Sequence, residues 1–343
     1  MPQQTTYRLA FIGFGAVGQG LARILSERGD WLAQRYGAKL VVVAVSTRRG
    51  TLYAPDGLDL GQLLQSVEQG GQLPQSNARV DWTPQELVER VTADVLVEVS
   101  ATDLTTGEPA TTYIRTAFDR GMHVVTANKG PIALHGQALL QEAQNEKVHL
   151  RYEGTVMSGT PALRLGWGDL AGCTIHEVSG ILNGTTNYIL TQMEAGSEYA
   201  DVLAEAQRLG YAEADPSGDV EGFDAAGKAV ILANMVFGAN LRMDDVACQG
   251  ITQITLDDVA EARAAGERWK LIARVAQQDG QVVASVQPQR LPLSHPLAGV
   301  SGPTNALTYT TDLLGDVTLV GPGAGGTATG FALLADVLAV HGV

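Results

Sequence analysis

Tyr7-Arg8-Leu9-Ala10-Phe11-Ile12-Gly13-Phe14-Gly15-Ala16-Val17-Gly18 is a short apolar run that breaks into a Gly-x-Gly-x-x-Gly loop. The run suits a buried parallel strand. Residues 20–35 follow with Leu21, Ile24, Leu25 and Leu32 at helical spacing, and residues 40–45 read as a second buried strand. Strand, glycine loop, helix and strand in that order are the context a dinucleotide-binding loop requires. Gly13 allows the tight turn. Gly15 removes a Cβ, so that backbone amides around Ala16 and Val17 can approach a pyrophosphate. Gly18 lets helix and strand pack closely. The helix N-terminus adds about half a positive charge.

Outward from this unit the alternation continues. Helices are predicted at 85–90, 111–120 and 136–145 and strands at 94–99 and 123–126, with a loop and short helix over 50–80. This is the rhythm of a Rossmann-type, doubly wound parallel sheet. Past residue 150 it changes: a strand at 174–182 runs into Asn183-Gly184-Thr185-Thr186-Asn187 and a helix to about 194. Next come a helix at 198–209, an acidic loop at 211–219, a helix at 222–237 and strands within 260–295. That region reads as α+β. A strand at 317–320, the loop Gly321-Pro322-Gly323-Ala324-Gly325-Gly326 and a helix at 327–340 close the chain, and a glycine loop opening a helix can face an anion.

The 343 residues, 45% hydrophobic and 17% charged, can bury two cores and exclude a disordered chain. A net charge of −14 with no basic stripe argues against nucleic acid and anionic membrane partners. Cys173 and Cys248 form no disulfide framework, and both read as core residues. The polar start shows no signal peptide, and the longest aliphatic run, 40–45, is far too short to span a bilayer, so a soluble cytoplasmic protein is expected. Six scattered histidines offer nothing to a transition metal.

Two clusters point to chemistry. The second strand ends in Ser46-Thr47-Arg48-Arg49, with no carboxylate for a ribose 2′-hydroxyl and two guanidiniums suited to a 2′-phosphate. This favours NADP, with NAD possible; the competing reading is two solvated arginines. Further on, Glu213, Asp215, Asp219, Glu221 and Asp224 crowd one stretch, and Asp224 lies four residues before Lys228 on one helix face. That is either a solvated acidic loop or a site in which carboxylates hold an ammonium and a partly dehydrated lysine exchanges a proton. Lys129 follows a strand at the carboxyl edge of the sheet, where α/β sites form.

The chain resembles the homoserine dehydrogenase family from end to end. The resemblance rests on the Gly13 loop, Thr126-Ala127-Asn128-Lys129-Gly130, Ile181-Leu182-Asn183-Gly184-Thr185-Thr186-Asn187-Tyr188 and, most specifically, the stretch from Gly210-Tyr211-Ala212-Glu213 through Asp219 and Asp224 to Lys228. It implies reversible oxidation of homoserine to aspartate 4-semialdehyde with NAD(P), in threonine and methionine biosynthesis, by a homodimer. It implies a nucleotide domain of residues 1–150 completed by 316–343, and a catalytic and dimerisation domain of 151–315. By the same match Lys228 is the general acid/base, oriented by Asp224, with Lys129 near substrate and nicotinamide. Glu213, Asp219 and Thr185 would contact substrate, and Ser100 and Gly323 the cofactor. Glu153, Val156, Ser158 and Thr160 match a loop that binds a monovalent cation, sodium by expectation, where relatives often carry glycine at the positions of Met157 and Ser158. The chain ends at Val343 without the regulatory domain some relatives carry, so feedback inhibition through such a domain is not expected. Two other readings remain. An aspartate semialdehyde dehydrogenase needs a nucleophilic cysteine, and a non-catalytic NADP sensor would keep the Gly13 loop without needing Lys228 and Lys129.

Overall fold

β1 (Thr5–Ile12) is the central strand of a seven-stranded sheet ordered β4-β3-β2-β1-β5-β6-β7. The computed structural model describes residues 4–343. β1 pairs in parallel with β2 (Ala38–Thr47) on one side and β5 (Val95–Glu98) on the other; β6 (His123–Thr126) and β7 (Leu150–Arg151) extend it in parallel. β3 (Gly50–Tyr53) and β4 (Arg79–Val80) add an antiparallel edge inside the stretch expected to be loop and helix. The helices are α1 (Ala16–Tyr36), α2 (Leu60–Gly70), α3 (Pro84–Arg90), α4 (Ala110–Asp119) and α5 (Lys129–Asn145). Leu9, Phe11, Leu21, Val45, Val95, Val97 and Val125 are all fully buried in one core. The chain leaves β1 towards β2 on one flank and resumes at β5 on the other, which makes the end of β1 the topological switch point where such sheets bind ligands.

Residues 160–324 form a second unit, and the first takes the rest of the chain, including Gly325–Val343. The second unit contains α6 (Ala162–Arg164), β8 (Ile175–Ile181), α7 (Gly184–Glu194), α8 (Tyr199–Arg208), α9 (Ser217–Val220), α10 (Phe223–Val236), β9 (Val246–Cys248), α11 (Leu256–Ala264), β10 (Glu267–Gln278), β11 (Gln281–Pro292), β12 (Thr304–Thr311) and β13 (Gly315–Pro322). Its six-stranded sheet runs β13-β12-β8-β10-β11-β9, antiparallel except where β9 joins β11. α10 packs its alanine- and valine-rich length against β10 and β11, with ten consecutive positions buried.

Three expectations change. The strand at 315–322 does not complete the first sheet. It pairs antiparallel with β12, so only the last helix, α12 (Gly326–His341), joins the first unit. The glycines of that helix serve packing: a Cβ on Gly20 would lie 2.0 Å from the Gly326 carbonyl, and one on Gly330 would lie 2.4 Å from the Leu21 nitrogen. α5 begins at Lys129, not near residue 136, because Asn128 caps it by accepting from Gly130 N and Pro131 is tolerated in a first turn. Cys248 is exposed and Cys173 half-buried, so neither is a core residue.

Candidate active site

Gly13 leaves β1 with its amide donating to Ser46 O at 2.8 Å. Its φ is +97°, and a Cβ there would stand 2.3 Å from the Val99 carbonyl oxygen, so only glycine closes this turn onto the peptide after β5. Gly15 is different: φ is −75°, and nothing lies within 4 Å of the Cβ position. What its missing side chain provides is room for a ligand. No side chain caps α1, which leaves the amides of its first turn, from Ala16 and Val17 onward, to meet an anion. A Cβ on Gly18 would come within 3.0 Å of Gly13 O, as close helix–strand packing demands. This cradle fits a dinucleotide pyrophosphate.

The other first-unit residues lie at the same carboxyl edge. Arg48 and Arg49 follow β2 and are exposed. They are not equivalent, since Arg49 Nη1 donates to Gly71 O and the Arg49 carbonyl accepts from Arg79 Nη2 at 3.0 Å. Ser100 follows β5, and its amide donates to Glu98 Oε1 at 2.9 Å. Lys129 opens α5.

In the second unit, β8 runs into Leu182 and Asn183, and α7 starts at Gly184. α10 presents Asp224 and Lys228 one turn apart. Lys228 is buried, and its Nζ donates to Leu182 O at 2.6 Å and to Asp224 Oδ2 at 2.7 Å. Asn183 Nδ2 donates to that same Asp224 oxygen at 3.0 Å and to Asp219 Oδ1 at 2.7 Å. The Thr185 hydroxyl stands 3.0 Å from Asp219 Oδ2 and 2.7 Å from Tyr211 O. Burial pushes the Asp219 carboxyl up against the pull of Asn183, and the Asp224 charge raises it further. The result is a lysine–carboxylate pair beside a second carboxyl that gives up water reluctantly, suited to binding a cation and moving a proton.

Of the residues singled out in the sequence, this cluster brings together Lys228, Asp224, Asp219 and Thr185. Glu213 stays outside it, exposed on the loop, with its carbonyl accepting from Gln207 Nε2 at 3.0 Å. Asn183, in sequence only one member of the Ile181–Tyr188 motif, joins the two aspartates; an Asn capping the helix after a strand is the signal that marks it. Gly323 lies against β12, where a Cβ would fall 2.0 Å from Asn305 Cγ. Asn305 is fully buried, and neither of its amide atoms has a partner among the described residues.

Glu153 heads a 3₁₀ turn and is buried, its amide donating to Asp336 Oδ2 at 3.0 Å. Met157 and Ser158 have φ of +56° and +54°, left-handed values that favour glycine. Ser158 and Thr329 share a 2.8 Å hydroxyl contact. Thr160 belongs to the second unit and donates to Pro322 O at 3.1 Å.

A Rossmann unit with an open glycine cradle, carried with a unit that buries a lysine–aspartate pair, defines a nicotinamide-dinucleotide-dependent oxidoreductase. Comparison with known proteins specifies which. The model of the homoserine dehydrogenase family matches residues 161–338, and that of its NAD-binding domain matches residues 13–153. An NAD(+)-dependent homoserine dehydrogenase of Pseudomonas canavaninivorans is 46% identical over 98% of this chain and 97% of its own. A homoserine dehydrogenase of Methanocaldococcus jannaschii is 40% identical over 97% and 98%. Among solved structures, a hyperthermophilic archaeal homoserine dehydrogenase in complex with NADPH superposes with a TM-score of 0.84 at 32% identity, covering 98% of each chain. One from Thiobacillus denitrificans gives 0.85 at 32%, covering 99% of this chain and 74% of that one. The chain belongs to the homoserine dehydrogenase family, NAD(P)-dependent oxidoreductases that interconvert homoserine and aspartate 4-semialdehyde. No helix among the described residues is long and apolar enough to cross a membrane.

Proposed function

We propose that Lys228 exchanges the proton of this reaction, and the observation that carries the reading is its burial between the Leu182 carbonyl and Asp224. A nicotinamide held by the Gly13 loop would supply hydride chemistry at the substrate's reacting carbon. Lys228 Nζ in its amine form accepts the hydroxyl proton during oxidation and returns it during reduction. Asp224 fixes the direction of Nζ, because its Oδ2 is also held by Asn183. Asp219, with Thr185 and Asn183 already on its oxygens, is the carboxylate placed for the homoserine ammonium. Glu213 assists from the loop. Lys129 and Ser100 are the first unit's contributions at the sheet edge, and Gly323 with the orphaned Asn305 amide beneath it is the second unit's candidate cofactor contact.

For the cofactor we infer NADP. β2 ends without a carboxylate, and Arg48 is an exposed guanidinium, whereas Arg49 holds the Gly71 turn. The names of two relatives diverge, one NAD(+)-dependent and one complexed with NADPH. The test is kcat/KM with each dinucleotide: Arg48→Ala is expected to lower it about tenfold with NADP and leave NAD within about twofold. A wild-type protein that prefers NAD tenfold would overturn the reading. We also infer a monovalent cation, sodium in the first instance, on hard oxygen donors from Glu153 and the main chain of Val156 and Ser158. A homodimer is supported by the exposed hairpin apolars Leu313, Leu314 and Val320, and light scattering measures it.

A further inference from the structure

Glu98, the last residue of β5, is fully buried. Its Oε1 accepts from Ser100 N at 2.9 Å. The Thr126 hydroxyl lies 2.9 Å from Glu98 O and 3.2 Å from Glu98 Oε2, and it also accepts from Asn128 N at 3.0 Å. A threonine hydroxyl owns one hydrogen. The carbonyl is nearer and cannot donate, so that hydrogen belongs to it. The 3.2 Å contact between Oγ1 and Oε2 then needs a hydrogen from the carboxyl side. The groups acting on Glu98 are Ser100, Asn128 and Thr126, all uncharged, and Tyr113, its titratable neighbour, is a phenol. A buried carboxylate without a cation neutralises itself by taking up a proton. Desolvation does push this carboxyl up, against the pull of the Ser100 hydrogen bonds.

The position matters because three loops meet there. The Ser100 amide that Glu98 holds belongs to the peptide on which Gly13 rests. Thr126 passes the linkage to Asn128, which caps α5 at Lys129. We propose that Glu98 is a positioning residue that ties the loops after β1, β5 and β6 together as a neutral carboxylic acid, donating its own hydrogen to Thr126 Oγ1. With a proton on Oε2, every hydrogen in the knot has one acceptor. No fixed negative charge then lies under the cradle that receives the dinucleotide phosphates.

The inference rests on the Gly13 loop being the dinucleotide site, but its first test needs no ligand. The infrared difference between wild type and Glu98→Gln near neutral pH should contain the carbonyl stretch of a protonated carboxylic acid; carboxylate bands instead would overturn the proposal. The second test is the dissociation constant for NADPH, followed by nicotinamide fluorescence. Glutamine reproduces the acceptor and donor of the neutral acid, so binding should stay within about twofold, whereas removing a buried anion beneath a pyrophosphate would tighten it about tenfold or more. Glu98→Leu, which strands the Ser100 amide, should weaken binding about tenfold, and Gln should rescue it. If the leucine variant does not fold, the two glutamine measurements still decide. An acid band with no NADPH binding in wild type would fail the assignment of the loop and not the protonation state.

Discussion

Replacing Lys228 separates two properties that its geometry joins. The Nζ forms an ion pair of 2.7 Å with Asp224, and the two side chains are 10% and 23% exposed. Lys228→Ala removes both the cation and the proton carrier. Breaking a buried pair costs about 3–5 kcal/mol, and the greater exposure of Asp224 brings this towards about 2–3 kcal/mol. For a unit of this size that lowers Tm by about 5–10 °C. Positioned acid–base catalysis is worth about 10²–10⁴-fold, so kcat should fall by about 10³. Lys228→Arg keeps a cation for Asp224 yet cannot give up its proton, because guanidinium does not titrate in proteins. Tm should therefore recover while kcat stays as low as in the alanine variant. Homoserine oxidation followed by nicotinamide absorbance, thermal unfolding and NADPH affinity make the comparison, and affinity should change less than about threefold because the open cradle at Gly15 and the uncapped start of α1, which Lys228 does not build, receive the pyrophosphate in this reading. An arginine variant turning over within tenfold of wild type would refute the assignment of Lys228 as the proton carrier.

The two glycines of the cradle should fail in different ways. Gly15→Ala enters open space and should fold with unchanged Tm while KM for the dinucleotide rises about tenfold, whereas Gly13→Ala meets Val99 O at 2.3 Å and should lower Tm. Equal losses of Tm in both would contradict the cradle. Lys270 gives a pH test: burial pushes its amine down to about 8, opposed by Glu194 and helped by Arg268. Between there and 10.5 the unfolded chain holds a proton that the folded chain has released, so wild-type stability should rise with pH relative to Lys270→Met, by at most about 1.4 kcal/mol per pH unit. Urea unfolding across that window measures it, and a flat or falling difference would refute it.

The first strand, glycine loop and helix were legible because local pattern alone sets them. The start of α5 was not: Lys129-Gly130-Pro131 reads as loop chemistry, and it is helical because Asn128 caps it and Pro131 falls in the first turn. β13 was misplaced for a different reason. A strand, a glycine loop and a helix repeat the opening motif, but pairing with β12 is a tertiary fact, and of the glycines Gly326 and Gly330 answer to α1 while Gly321 and Gly323 lie against Thr160 and Asn305. The Asp224–Lys228 pair was readable from its spacing of four, while the links from Asn183 to Asp219 and Asp224 cross 36 and 41 residues and leave no local trace.

Lys270 shows how the second unit holds its site in register. It lies in β10 with no exposed surface, and its Nζ donates to Asn187 Oδ1 at 3.1 Å and Val300 O at 2.8 Å. The Asn187 amide nitrogen in turn reaches the Val300, Gly302 and Thr304 carbonyls at 3.3, 2.9 and 3.1 Å. An apolar side chain would fill the same volume at lower desolvation cost. What it could not do is gather the turn at 300–304 onto the first turns of α7, whose N-terminal end carries Asn183 and Thr185. Those two residues hold both oxygens of Asp219 and one of Asp224. On the proposal that Asp219 receives the substrate ammonium, its carboxylate must be placed within tenths of an ångström and needs such a rigid support. A costly buried cation is therefore best understood as fixing the geometry of the acidic cluster rather than as adding stability.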